Sequence, residues 1–78
     1  MEIGEVIEAN VTRIENYGIW LEAGGDPGLL MIPDISYRRV VHPSEFAKVG
    51  DVLTVKVIGF NTQKGQFVAS RKVLHPEE

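Results

Sequence analysis

A chain of 78 residues, 44% hydrophobic and 24% charged, is one small globular domain, too short for two domains and too apolar for disorder throughout. The absence of cysteine excludes a disulfide scaffold and a cysteinyl zinc site, no apolar run approaches the ~18 residues of a membrane span, and the acidic start Met1-Glu2-Ile3-Gly4-Glu5 is unlike a secretory signal. The net charge of −3 is unevenly spread: residues 1–33 carry six acids against the single base Arg13, whereas residues 36–76 carry seven bases against Glu45 and Asp51, so a local basic surface is available despite the acidic total.

The first apolar run, Val6 to Ile14, alternates Ile7, Ala9 and Val11 with Glu8, Asn10 and Thr12, the period of a half-buried strand. Asn16-Tyr17-Gly18 reads as a turn in which Gly18 supplies a positive φ. A second strand, Ile19 to Glu22, follows, and then a loop by composition from Glu22 to Gly28. Leu29 to Ile32 is a third short strand, and Pro33 opens a single helical turn through Ile35. Residues 36–50 are irregular, with a further turn at Pro43-Ser44-Glu45-Phe46 that lets Phe46 plug one end of a core. Gly50-Asp51 introduces the longest strand, Val52 to Phe60, with Leu53, Val55 and Val57 on its inner side. Asn61 to Gly65 is a hairpin loop, and Phe67 to Ser70 is the last strand. Five strands with a non-strand break after the third predict an all-β, closed barrel, because closure removes the edges that an open sheet must protect.

Alternation also sorts the faces. Ile19 and Leu21 point inward, so Trp20 shares the outer surface with Glu22; Leu30 and Ile32 are the better core pair, which sends Met31 outward beside the second strand. Tyr17 sits at the neighbouring turn. An outward cluster of Tyr17, Trp20 and Met31 has two roles open to it: a stacking platform for nucleobases, or a cover over the barrel wall that shields backbone hydrogen bonds.

Enzyme signatures are missing. His42 and His75 each precede a proline, with no second ligand at metal spacing, and read as an exposed loop residue and part of a frayed tail. Ser36, Ser44 and Ser70 lack a nucleophile-elbow context, and Gly24-Gly25-x-x-Gly28 has no following Lys-Ser/Thr and no helix, as a phosphate cradle would need. The expectation is a binding protein with no catalytic residues, no metal and no cofactor.

The ordered set Gly4-x-Val6, Val11-Thr12-x-Ile14, Tyr17-Gly18-x-Trp20-Leu21, Gly28-Leu29-Leu30-x-Ile32, Val49-Gly50-Asp51, Val55-Lys56-Val57-Ile58 and Ser70-Arg71-Lys72 resembles the S1 RNA-binding domain. The resemblance runs over residues 4–74, leaving 75–78 as a C-terminal tail, and implies a five-stranded OB-fold (Greek-key) barrel with short helical turns between strands three and four. It places the family's two surface aromatics on Tyr17 and Trp20. It also places Met31 where the family has a histidine, Asn61 where it has an acid, and Gln66 where it has a base. Arg38 and Arg39 fall in the loop that borders the family's binding face, as phosphate contacts or as a solvated pair, while Lys56 and Lys64 read as solvent charges and Arg71 and Lys72 stay open between the two. Ile35-Ser36-Tyr37-Arg38-Arg39 and Ser70-Arg71-Lys72-Val73 are also similar to the S1 domain of the eukaryotic translation initiation factor two alpha subunit, which would admit a regulatory or decoy relation to it.

The implied function is a single-stranded RNA-binding module, weak and largely non-specific, accessory to translation or RNA metabolism, cytoplasmic and monomeric, with no membrane partner and with a ribosomal or RNA-processing protein as a further partner. The alternative is a protein–protein interaction module that uses the same outer face, for which the adaptable apolar side chain of Met31 speaks.

Overall fold

The computed structural model describes all of residues 1–78 and contains five strands: β1 Val6–Glu15, β2 Gly18–Ala23, β3 Asp26–Met31, β4 Val52–Asn61 and β5 Gln66–Ser70. They form the expected closed barrel in the order β1-β2-β3-β5-β4, with β3 and β5 parallel and every other neighbouring pair antiparallel. The alternation holds on the inside, where Ala9, Val11, Ile19, Leu21, Leu30, Val55, Val57, Phe67 and Ala69 are all buried. At ~25 cal/mol per Å² of apolar surface removed from water, this shared interior is what holds five short strands together.

The connections differ from expectation in three places. The segment from Glu22 to Gly28 is a tight hairpin rather than a loop: Ala23 pairs with Asp26 across Gly24-Gly25, whose φ angles of 60° and 85° meet the requirement of a primed two-residue turn. Pro27 therefore lies inside β3, which begins at Asp26 and ends at Met31. Gly18 does not take a positive φ; it is buried, and a Cβ there would press on the Leu30 carbonyl oxygen, so its requirement is steric. The last four residues are not frayed, as described below.

A single helical turn, α1 (Ile32–Ile35), follows β3 with Pro33 in its first turn. It packs against β3, β5 and a 3₁₀ turn at Lys72–Leu74, so Ile35 closes the barrel at the C-terminal ends of the parallel pair β3 and β5. A second 3₁₀ turn at Pro43–Glu45 is capped by His42, whose Nδ1 accepts from the Ser44 backbone N–H, and it delivers Phe46 half-buried against the core. Arg71 ties this end together. Its backbone N–H donates to the Asp34 carbonyl at 2.8 Å, its guanidinium donates to the Ile35 carbonyl, and it lies over the Phe46 ring at 5.1 Å. Glu78 returns to receive two parallel hydrogen bonds from Arg71, each 2.9 Å, and one from the Ser36 hydroxyl at 2.6 Å.

Candidate nucleic-acid interface

On the outer surface the register sets a row across four strands: Trp20 pairs with Leu29, Leu29 with Val68, and Val68 with Gly59. Trp20, Leu29 and Val68 alternate with buried neighbours and so face outward, and Gly59 shares their face through its pairing with Val68. Gly59 adds no side chain to the row, and the space above it is open. On one side of the row Gly18 pairs with Met31, and on the other Asn61 pairs with Gln66. The sheet thus brings Trp20, Met31, Asn61 and Gln66 onto one continuous face.

Tyr17 joins them from the β1–β2 turn. The Trp20 indole Nε1–H donates to the Tyr17 hydroxyl at 2.9 Å, and the Tyr17 carbonyl accepts from the Ile32 backbone N–H at 3.2 Å. Tyr17 and Met31 are 41% and 43% exposed, which is what a contact surface requires and a core does not. The backbone under Trp20 is held as well, because the Thr12 hydroxyl donates to its carbonyl. Arg13, opposite Trp20 on β1, ion-pairs with Glu15. Glu22 is occupied with the hairpin, accepting from the Gly25 N–H and the Asn10 amide. The Asn61 Oδ1 accepts from the Lys64 N–H and so shapes the β4–β5 turn, which leaves its amide nitrogen for other partners.

Arg38 and Arg39 are not part of this row. They line a separate hollow of about 330 Å³ with Glu45 and Phe46, on the loop after α1, and neither forms an ion pair. Arg38 is anchored through its backbone N–H, which donates to Ser36 Oγ. Lys72 lies over the exposed Tyr37 ring at 5.1 Å, whereas Arg71 is neutralised by Glu78. That pairing gives the one clear electrostatic perturbation in the chain. Hydrogen bonds from Arg71 and then from Ser36 pull the Glu78 pKa from 4.5 down to about 2. His75, Glu77 and Glu78 bring potential ligand atoms within 4.8 Å of one another, although the Glu78 carboxylate is already committed to Arg71 and Ser36.

Leu29 and Val68 were legible as face residues from the same alternation that exposed Trp20 and Met31, since their neighbours Leu30, Phe67 and Ala69 are core residues. One further feature carried no such signal. Asp26, Phe60, Asn61, Thr62, Gln66 and Phe67, with Met1 and Gly65, line a hollow of about 410 Å³ at the barrel end opposite α1.

The model of the S1 RNA binding domain matches residues 1–72. The chain is 35% identical over 72 residues to small ribosomal subunit protein bS1 of Leuconostoc lactis, covering 92% of this chain and 17% of that protein. It is 42% identical over 79 residues to polyribonucleotide nucleotidyltransferase of Bacillus cereus, covering 100% of this chain and 11% of that enzyme. The chain therefore spans only a small part of the curated relatives it matches. Among solved structures, the a/eIF2alpha-aDim2p-rRNA complex from Pyrococcus horikoshii OT3 contains a chain that superposes with a TM-score of 0.88 at 29% identity, covering 99% of this chain and 48% of that one. GSP13 from Bacillus subtilis superposes with a TM-score of 0.85 at 28% identity, covering 95% of this chain and 58% of that one.

Proposed function

We propose a function for this chain from one established premise: it belongs to the S1 RNA binding domain family. The chain is a single-stranded RNA-binding module, weak and largely sequence-tolerant, accessory to translation or RNA metabolism in the cytoplasm. It acts as a monomer by binding rather than by catalysis, with residues 4–74 as the working domain. Bases stack on Tyr17 and Trp20. Met31, Asn61 and Gln66 line the same face, and Arg38 and Arg39 contact phosphates where the strand leaves it.

The observation that carries this reading is the hydrogen-bonded pair of exposed Tyr17 and half-buried Trp20 beside the outward row that runs to Gly59. Aromatic stacking is worth ~1–3 kcal/mol per base and is indifferent to sequence, which fits weak and tolerant binding by one domain. Met31 replaces a group that could donate a hydrogen bond with one that only packs, so the face relies on stacking more than on polar contacts. The exposed Met31 side chain also favours a second reading, a ribosomal or RNA-processing protein docked on this face.

The test follows Trp20, the only tryptophan, by fluorescence while single-stranded RNA is titrated in at low and at physiological salt. Saturable quenching that weakens with salt and is lost in Tyr17→Ala is expected, since phosphate contacts release counterions. A folded protein whose Trp20 emission is indifferent to RNA overturns the reading. Partners that survive ribonuclease in an affinity pull-down would then identify the protein-docking alternative.

A further inference from the structure

We propose that the hollow at the end of the barrel is a base pocket that selects guanine from the RNA crossing the Tyr17–Trp20 platform. This inference rests on the RNA-binding reading above. The hollow, about 410 Å³, lies within the volume range of small-molecule sites. It exists because of a bulge in β4. Strict alternation from Val55 and Val57 would turn Phe60 to the outer wall. The register shift between Val57 and Gly59 instead sets Phe60 opposite Phe67, on the inner side at the barrel mouth. Phe67 is buried and forms part of the lining, while Phe60 is 44% exposed and offers a π face to whatever enters.

The polar lining matches one base better than the others. Asp26 pairs with the buried Ala23 and so stands on the inner side of the mouth, and its carboxylate makes no hydrogen bond or ion pair within the chain. A carboxylate only accepts, and guanine is the base with two adjacent donors, N1–H and the N2 amino group, on its Watson–Crick edge. Those two donate to the two Asp26 oxygens. The amide nitrogens of Gln66 and Asn61, both in the lining, donate to guanine O6. Uracil offers a single donor between two acceptors. Adenine and cytosine set an amino donor beside an unprotonated ring nitrogen, whose lone pair would face the carboxylate.

The hollow is reachable from the platform. Gln66 lies two strands and two residues from Trp20 through the Trp20–Leu29–Val68 row, roughly 12 Å across the sheet, and both residues face outward there. A strand stacked on Trp20 therefore passes Gln66 and can turn a later base over the rim onto Phe60. The outcome is a modest preference at one position on an otherwise tolerant track.

The experiment compares a uridine RNA octamer with octamers carrying one guanosine, inosine or adenosine, binding being read by Trp20 fluorescence. A parallel titration with guanosine and adenosine monophosphates is read by backbone amide shifts of residues 61–66. The guanosine octamer is expected to bind about tenfold tighter than the uridine octamer, with inosine, which lacks the N2 amino group, in between. Guanosine monophosphate, and not adenosine monophosphate, should move the hairpin amides. Asp26→Asn should erase the preference for guanosine over uridine without lowering the melting temperature, and Phe60→Leu, which keeps apolar bulk but removes the ring, should reduce it. Trp20 quenching equal for all four octamers, with silent hairpin amides, overturns the pocket while leaving the platform intact. Hairpin shifts with guanosine monophosphate but no Trp20 response to any octamer would uphold the pocket and remove the platform.

Discussion

The indole N–H of Trp20 donates to the hydroxyl of Tyr17 at 2.9 Å, so the half-buried Trp20 ring and the exposed Tyr17 ring are tied to each other rather than free to rotate separately. Fixing both rings before RNA arrives removes an ordering cost from binding. Tyr17→Phe keeps the ring and deletes the link. Because the bond is exposed, its loss is expected to cost under about 1 kcal/mol of folding stability. Affinity for a uridine octamer should nonetheless fall about threefold, as the rings gain freedom that binding must remove. Thermal melts and Trp20 titrations of the variant separate these two effects.

Gly28 is a second residue whose identity is dictated by a neighbour. A Cβ at this position would land inside the ring of Phe67, the residue directly opposite it on β5. Phe67 is buried among strand residues and cannot retreat without moving its own packing. Gly28→Ala is therefore expected to destabilise the barrel by on the order of 3 kcal/mol, as overpacking of a tight core does. In a domain of this size that corresponds to a melting temperature lower by roughly 10–20 °C. A shift within a few degrees of the parent would show that the Phe67 ring is not pinned there.

The barrel was readable because apolar and polar residues alternate from Ile7 to Thr12 in β1 and from Leu53 to Val57 in β4, and because inward Ile19, Leu21 and Leu30 leave Trp20 and Met31 no place but outside. What could not be read depended on partners far apart in the chain. Gly24-Gly25 followed by Asp26-Pro27 has the composition of a loop, and only the pairing of Ala23 with Asp26 makes it a hairpin. The inner position of Phe60 needs a bulge that breaks the period just where the period was being used. The tail looked free because its anchors, Arg71 and Ser36, lie 7 and 42 residues from Glu78 and carry no local signature. Arg38 and Arg39 were placed on the correct loop, but a loop without regular structure fixes no face, and they line their own hollow.

Two buried serines should respond oppositely to alanine. The Ser70 hydroxyl is fully buried and has no hydrogen-bond partner, so folding removes it from water without compensation. Ser70→Ala is expected to be neutral or to stabilise the barrel by up to about 1 kcal/mol. Ser36 donates to Glu78 and accepts from the Arg38 N–H, so Ser36→Ala removes two part-buried hydrogen bonds, one of them to a carboxylate, and should cost roughly 1–2 kcal/mol. Urea denaturation of both variants tests the contrast, and equal effects would contradict the hydrogen-bond assignments.

The Arg71–Glu78 pair makes stability depend on acid in a defined direction. Hydrogen bonds from Arg71, then from Ser36, lower the Glu78 pKa from 4.5 to about 2; desolvation opposes them, and the charges of Arg71 and His75 add the smallest contributions. Between those two values the folded chain binds fewer protons at this site than the unfolded chain does. The pair's contribution is therefore complete above a pH of about 4.5 and is lost progressively as pH falls toward about 2. Glu78→Gln keeps the shape and removes the titration. The variant is expected to melt below the parent near neutral pH, and the two melting temperatures should converge as the solution is acidified through that window. Melts followed by circular dichroism across it give the answer directly. A gap that stays constant with pH would mean that ionisation of Glu78 adds nothing to the pairing, and that the Arg71 guanidinium is equally well satisfied by the Ile35 carbonyl and the Phe46 ring.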